Sequence, residues 1–128
     1  MGQLTHNSII DLDLSKEEVG LYANVLNEIL NGLNIQDLEQ RIGTSREAAE
    51  SLLERLNQAY QTSDDTKMQS LSLRLDEARI LKHGFLICIQ ELGNEEMSAR
   101  TGFSVPEAKH HVLALDDLLH HSPTWGIG

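Results

Sequence analysis

The segment Ile10 to Leu56 recurs, part for part and in the same order, as Leu71 to Leu115, and this recurrence limits the possible folds more than any single motif does. Ile10-Asp-Leu12-Asp-Leu14-Ser15 corresponds to Leu71-Ser-Leu73-Arg-Leu75-Asp76, and Arg41-Ile-Gly43-Thr-Ser45-Arg-Glu-Ala-Ala49 to Arg100-Thr-Gly102-Phe-Ser104-Val-Pro-Glu-Ala108. The offset is 61 residues from Ser15 to Asp76 and 59 from Gly43 to Gly102, so one two-residue deletion before the second glycine reconciles them. A unit of about 50 residues buries too small a share of its surface to be firmly stable alone. The two units are therefore expected to share a core.

Each unit reads as one strand followed by three helices. Ile10, Leu12 and Leu14 alternate with Asp11 and Asp13, the period of a half-buried strand, and Leu71, Leu73 and Leu75 repeat the pattern. Two such strands can satisfy each other's backbone groups as a short two-stranded ribbon. Ser15 to Glu18 has the form of a capping box, and Val19, Tyr22, Leu26, Ile29 and Leu33 then mark one helix face. Asn31-Gly32 breaks that helix. Asn34 is placed to cap a short helix running through Gln40, and Gly43 to adopt the left-handed conformation beyond it. Thr44 to Glu47 predicts a second box opening a helix that buries Ala48 or Ala49, Leu52, Leu53 and Leu56.

In the second unit, Asp76 is placed to cap a long helix that is apolar nearly all round from Ile80 to Leu92, which puts it at the centre of the molecule. Asn94 is placed to start the next short helix and Gly102 to end it. Ser104 with Glu107 opens the last helix, which extends to about His120 and tolerates Pro106 in its first turn. The fold class that follows is mainly α: an internal duplication of a strand-plus-three-helix unit, packed as one pseudo-twofold domain. Its expected boundaries are 10–60 for the first unit, 61–70 for a polar linker, 71–121 for the second unit and 122–128 for a tail.

The Gly turns carry a family resemblance. Glu39-Gln-Arg-Ile-Gly43-Thr-Ser45-Arg-Glu-Ala-Ala49 and Ser98-Ala-Arg-Thr-Gly102-Phe-Ser104-Val-Pro-Glu-Ala108 resemble the helix-turn-helix pattern of DNA-binding regulators. That pattern places a small residue four before the turn Gly, Ser or Thr two after it, and a small or branched apolar residue four later. Ser98, Gly102, Ser104 and Ala108 meet it. Glu39 departs from it and would have to point outward, and His111 stands where the family usually has an aliphatic. The strand ahead of the helices is also similar to ribbon-helix-helix repressors. However, the 26 residues from Asp76 to Gly102 leave room for a helix that family lacks, and Asp11 and Asp13 would occupy the outward positions of the ribbon. The resemblance implies three-helix units and, as the alternative function, a transcription regulator that reads DNA through Lys109 and His110 of the second unit.

Charge weighs against that alternative. The chain carries a formal charge of −10 with pI ≈ 4.9, which suits neither a phosphate-neutralising surface nor an anionic membrane. Residues 11 to 60 hold ten carboxylates and four basic side chains, residues 71 to 121 eight and five. Glu47, Glu50 and Glu54 share one side of the first unit's third helix and are the candidate partner-binding residues.

Glu107 and His111, Asp116 and His120, and Asp117 and His121 each lie four apart, but no second ligand cluster accompanies them, so they read as solvated helix-face histidines. No Ser stands in a motif that sets it beside a base, and Cys88 falls in the apolar run Gly84 to Ile89. The chain thus calls for no catalytic residue, metal or cofactor. A lone cysteine, the lack of a basic and apolar leader in Met1 to Ile10, and the lack of an 18-residue apolar run point to the cytoplasm. The expected protein is a small acidic interaction or regulatory module whose partner is another protein or a second copy of itself.

Overall fold

The computed structural model describes residues 9–120. Strands β1 (Ile9–Leu14) and β2 (Gln69–Arg74) pair antiparallel, with Ile9 opposite Arg74, Asp11 opposite Ser72 and Leu14 opposite Gln69. The pairing joins the two halves within one chain. Alternation divides the ribbon into a dry face of Ile10, Leu14, Leu71 and Leu73 and a wet face of Asp11, Asp13, Ser72 and Arg74. On the wet face Ser72 Oγ donates to Asp11 Oδ1 at 2.8 Å.

Helix α1 (Lys16–Asn27) opens with the expected reciprocal cap: Ser15 N donates to Glu18 Oε1 at 2.9 Å, and Glu18 N to Ser15 Oγ at 3.1 Å. It buries Val19, Tyr22, Ala23, Val25 and Leu26, then widens into one π turn, Glu28–Gly32, that buries Ile29 and Leu30. Helix α2 (Leu38–Ile42) stops at Gly43, whose φ of 80° is the left-handed conformation anticipated there. Helices α3 (Arg46–Thr62), α4 (Leu75–Thr101) and α5 (Val105–His120) complete the chain. Helix α4 is interrupted at Gly93 (φ 74°, ψ −179°) and ends at Gly102 (φ 87°). Its stretch after Gly93 is the short helix expected from Asn94 to Thr101. The box that opens α5 is as anticipated, with Ser104 N to Glu107 Oε1 at 2.9 Å and Glu107 N to Ser104 Oγ at 3.2 Å.

Four boundaries differ from expectation, each for a local reason. Asp37, not Asn34, stands at the start of α2, because the chain from Leu33 remains irregular for four residues. The cap of α3 is Ser45 rather than Thr44: Ser45 Oγ accepts from Ala48 N at 3.2 Å, and Glu39 from the preceding helix, not Glu47, accepts from Arg46 N at 2.7 Å. Helix α4 begins at Leu75, two residues earlier than Asp76 would allow as its cap. Glu77 Oε1 holds Arg74 N at 2.9 Å, while Asp76 Oδ1 takes Glu77 N at 3.0 Å. Finally, α3 continues through the polar residues 57–62, so the connector between the halves shrinks to residues 63–68. An amphipathic helix needs only one apolar stripe, and half-buried Ala59 prolongs the stripe of Ala49, Leu52 and Leu56.

The halves meet where α1 crosses α4. A Cβ at Gly84 would lie 3.4 Å from Ile29 Cδ1 and Val25 Cγ1 and 3.5 Å from Leu26 Cδ2, ordinary van der Waals distances, so Gly84 packs directly against these side chains. Around the crossing, Leu26, Ile29, Leu52, Leu56, Ile80, Phe85, Met97 and Leu115 are fully buried in one continuous core. Buried Glu77 is held by the Arg55 guanidinium of α3 and by Arg74 N, which satisfies a carboxylate that would otherwise be costly to bury. Among the described residues no helix is long and apolar enough to cross a membrane.

Candidate functional site

Helical spacing points Tyr22 of α1 and Phe85 of α4 into the same seam, and the Gly102 turn delivers Phe103 and then α5 with His111 against them. The turn favours glycine because its φ is positive, and a Cβ there would also make the end of the Leu21 side chain, Cδ2 at 2.3 Å, turn aside. The four rings form one cluster. Centroids lie 5.3 Å apart for Tyr22 and Phe85, 5.1 Å for Phe85 and Phe103, and 5.0 Å for Phe103 and His111, each edge-to-face or tilted.

His111 is half-buried and joined to the other half of the molecule by a 2.7 Å hydrogen bond between its Nδ1 and Tyr22 Oη. Burial raises the phenol's pKa, with the nearby Glu18 adding to the rise, and burial lowers the imidazole's, so both groups are neutral near pH 7. The tautomer protonated at Nε2 then lets Tyr22 donate to Nδ1 and aims Nε2–H toward Glu18, whose Oε2 is 3.9 Å away. Glu18 thus caps α1 through Oε1 while its Oε2 lies near His111 Nε2 without bonding to it. Above the cluster a cleft of ≈ 490 Å³ opens between the start of α1 and α5, lined by Glu17, Glu18, Leu21, Phe103, Glu107 and His110.

This arrangement corrects the reading of His111 as a solvated helix-face residue. The aliphatic expected at that position is replaced by an imidazole that still packs inward, because Tyr22 supplies a partner for its buried nitrogen. His120 is exposed as expected, its Nδ1 2.8 Å from the carbonyl of Asp116, while the Asp116 carboxylate is taken by Lys82 at 2.6 Å. Asp117 is exposed on α5, and His121, its expected neighbour, lies outside the described residues, as does the tail. Among the described residues no three His, Cys, Asp or Glu side chains converge as a metal site. Cys88 is buried with its thiol pKa pushed up to about 12 by burial and, secondarily, by Glu28, and its Sγ lies 3.8 Å from the carbonyl of Val25. A thiol so protonated is a poor nucleophile.

The polar candidates lie elsewhere. Glu47, Glu50 and Glu54 are all exposed along one side of α3, where Glu50 meets Arg46 at 3.2 Å. Lys109 and His110 are exposed on α5, beside exposed Glu107 and Leu113. Glu39 is exposed, with its carboxylate accepting from Arg46 N. No family model, curated protein or solved structure matches this chain. Sequence reasoning placed Tyr22 and Phe85 in the core but missed their meeting with His111, since nothing local signals a contact across 89 residues.

The sign of the His111 shift yields a test. A lowered folded value means that the native state binds this proton less readily than the unfolded chain. Its contribution to stability is complete above the ordinary value of 6.5 and is lost as pH falls through the lowered one. His83, lowered chiefly by burial, acts in the same window. The melting temperature is expected to drop as pH falls below the ordinary histidine value of 6.5, and to drop less in His111→Gln, which can still accept from Tyr22. Equal drops in the two proteins, followed by circular dichroism, would show that His111 does not couple to folding.

Proposed function

We propose that this protein is a regulatory protein–protein interaction module without chemistry of its own, and that α3 presents its recognition surface. The observation that carries this reading is the exposed row of Glu47, Glu50 and Glu54, left to solvent while Ala49, Leu52 and Leu56 turn inward. Such a row steers and selects a basic partner surface. It would meet DNA phosphates with like charge. The alternative, a helix-turn-helix regulator acting through Lys109 and His110, has to present them beside Glu107 on a chain of net charge −10.

We also read the fold as an internal duplication packed about a pseudo-twofold axis. The strand register supports it. Asp11 lies opposite Ser72, its own counterpart at an offset of 61, while Ile10 lies opposite Leu73 and Leu12 opposite Leu71, each the counterpart of the other's partner. A twofold relating the strands requires that reciprocity. Arg41 reaches Glu91 at 3.2 Å, and Arg100 reaches Glu28 at 3.3 Å, each crossing to a carboxylate near the end of the other unit's long helix. The small residues Ala23 and Gly84 are counterparts too, both buried.

A titration of the wild-type protein with a random-sequence duplex library separates the two functions. The interaction reading expects no sequence-selective retention near 0.15 M salt, roughly physiological ionic strength. Selective binding that falls steeply with salt and weakens in Lys109→Ala and His110→Ala would establish the regulator instead.

A further inference from the structure

We propose that the outer edge of β1 is a docking site for an extended segment of a partner protein in which apolar and basic residues alternate. A two-stranded ribbon has two outer edges, and soluble proteins ordinarily block such edges. Among the described residues one edge is blocked and the other is not. On β2, Arg55 Nη2 donates to the Ser72 carbonyl at 2.6 Å, and Glu77 Oε1 holds Arg74 N–H at 2.9 Å.

Those two bonds fix the direction of every backbone group in the ribbon. Because Ser72 and Arg74 spend their groups away from β1, Leu71 and Leu73 are the β2 residues that bond across it. Their partners Leu12 and Ile10 therefore bond inward, and the N–H and C=O groups of Asp11 and Asp13 point outward from β1. Among the described residues nothing takes them. The difference between the edges has a sequence basis that rests on the duplication reading. The counterpart of Arg55 is Ala114 (offset 59) and that of Glu77 is Lys16 (offset 61), so neither gatekeeper is present for β1. Lys16 is engaged elsewhere, 3.5 Å from Asp65 and 4.8 Å over the Tyr60 ring.

The side chains on this edge specify the occupant. Asp11 and Asp13 are exposed, and Ile9 at the head of the strand is 48% exposed. Residues of an added antiparallel strand opposite Asp11 and Asp13 would lie about 5 Å from them on the same face, where opposite charge is favoured. The residues between would fall on the face of Ile10 and half-buried Leu12, where apolar side chains belong. A second copy fits poorly, since β1 against β1 sets aspartates opposite aspartates. Strand addition supplies main-chain affinity, and the alternate side chains supply selectivity. The proposal is independent of the α3 surface.

The test uses the full chain and an end-blocked synthetic peptide of about seven residues alternating valine and lysine, the length of an ordinary strand. Amide hydrogen exchange at Asp11 and Asp13 is expected to slow with this peptide and not with its valine–glutamate counterpart. Asp13→Pro removes one outward N–H without touching the ladder and should weaken binding by up to about tenfold. Asp11→Lys with Asp13→Lys keeps the backbone intact and should reverse the peptide preference, so the test does not hang on the proline variant's folding. Binding should be unchanged when Glu47, Glu50 and Glu54 are reversed to lysine, which separates this site from α3. Unslowed exchange at saturating peptide would overturn the proposal. So would protection of Asp11 and Asp13 already present in the free protein, or protection that grows with protein concentration alone.

Discussion

Phe85→Ala is expected to destabilise the protein by about 3–5 kcal/mol, the range for truncating a buried aromatic. Phe85 is fully buried, stands edge-on to Tyr22 at 5.3 Å and to Phe103 at 5.1 Å, and stacks against His111 at 5.7 Å. Its ring therefore packs against side chains from α1, the Gly102 turn and α5 together. A loss of that size is a large fraction of the roughly 5–15 kcal/mol that holds a typical domain together. In a thermal melt it corresponds to a fall of roughly 12 °C or more. Phe85→Leu, which keeps most of the volume, should fall much less. A melting temperature within a few degrees of wild type for Phe85→Ala would mean that the ring cluster is not part of the folding core.

Cutting the chain between the halves should have a still larger effect. Residues 1–65 carry β1 and α1 to α3, residues 66–128 carry β2, α4 and α5, and each half would lose its strand partner at once. Separation would also expose Val25, Leu26 and Ile29 on one side and Gly84, Phe85 and Ile87 on the other. Apolar patches of that kind drive association or prevent folding. Each fragment expressed alone is expected to aggregate or to melt without cooperativity, and mixing the two should restore some native signal. Two fragments that each melt cooperatively as soluble monomers would contradict the shared core.

The elements themselves were legible because they are encoded locally. The alternating leucines marked both strands, Ser15 with Glu18 and Ser104 with Glu107 marked helix starts, and Gly43 and Gly102 marked left-handed stops. The misplaced boundaries at Asn34, Thr44 and Asp76 fell where several side chains compete to cap one helix, and tertiary partners such as Glu39 decided the outcome. The exposed residues at the polar end of α3 carry no periodicity, so Gln61 and Thr62 fall within the expected linker although they continue the helix. The exposure of Glu47, Glu50 and Glu54 followed from helix periodicity alone. The inward turn of His111 did not, since it depends on Tyr22 arriving from the other half of the chain. Likewise the blocking of β2 by Arg55 needs α3 and β2 side by side, which no pattern along the chain announces.

The central claim is that α3 recognises a protein partner through its carboxylates, and paired affinity capture tests it most directly. Wild-type protein and the Glu47→Lys, Glu50→Lys, Glu54→Lys variant would be used as baits under identical conditions, with captured proteins quantified by mass spectrometry and the leading candidate then titrated in purified form. The variant should fold normally, since exposed charges seldom change stability by more than about half a kcal/mol each. The expected result is a purified partner that binds the wild type with salt-sensitive affinity and binds the variant at least about tenfold more weakly. A partner that binds both baits equally, with both correctly folded, would remove α3 from recognition.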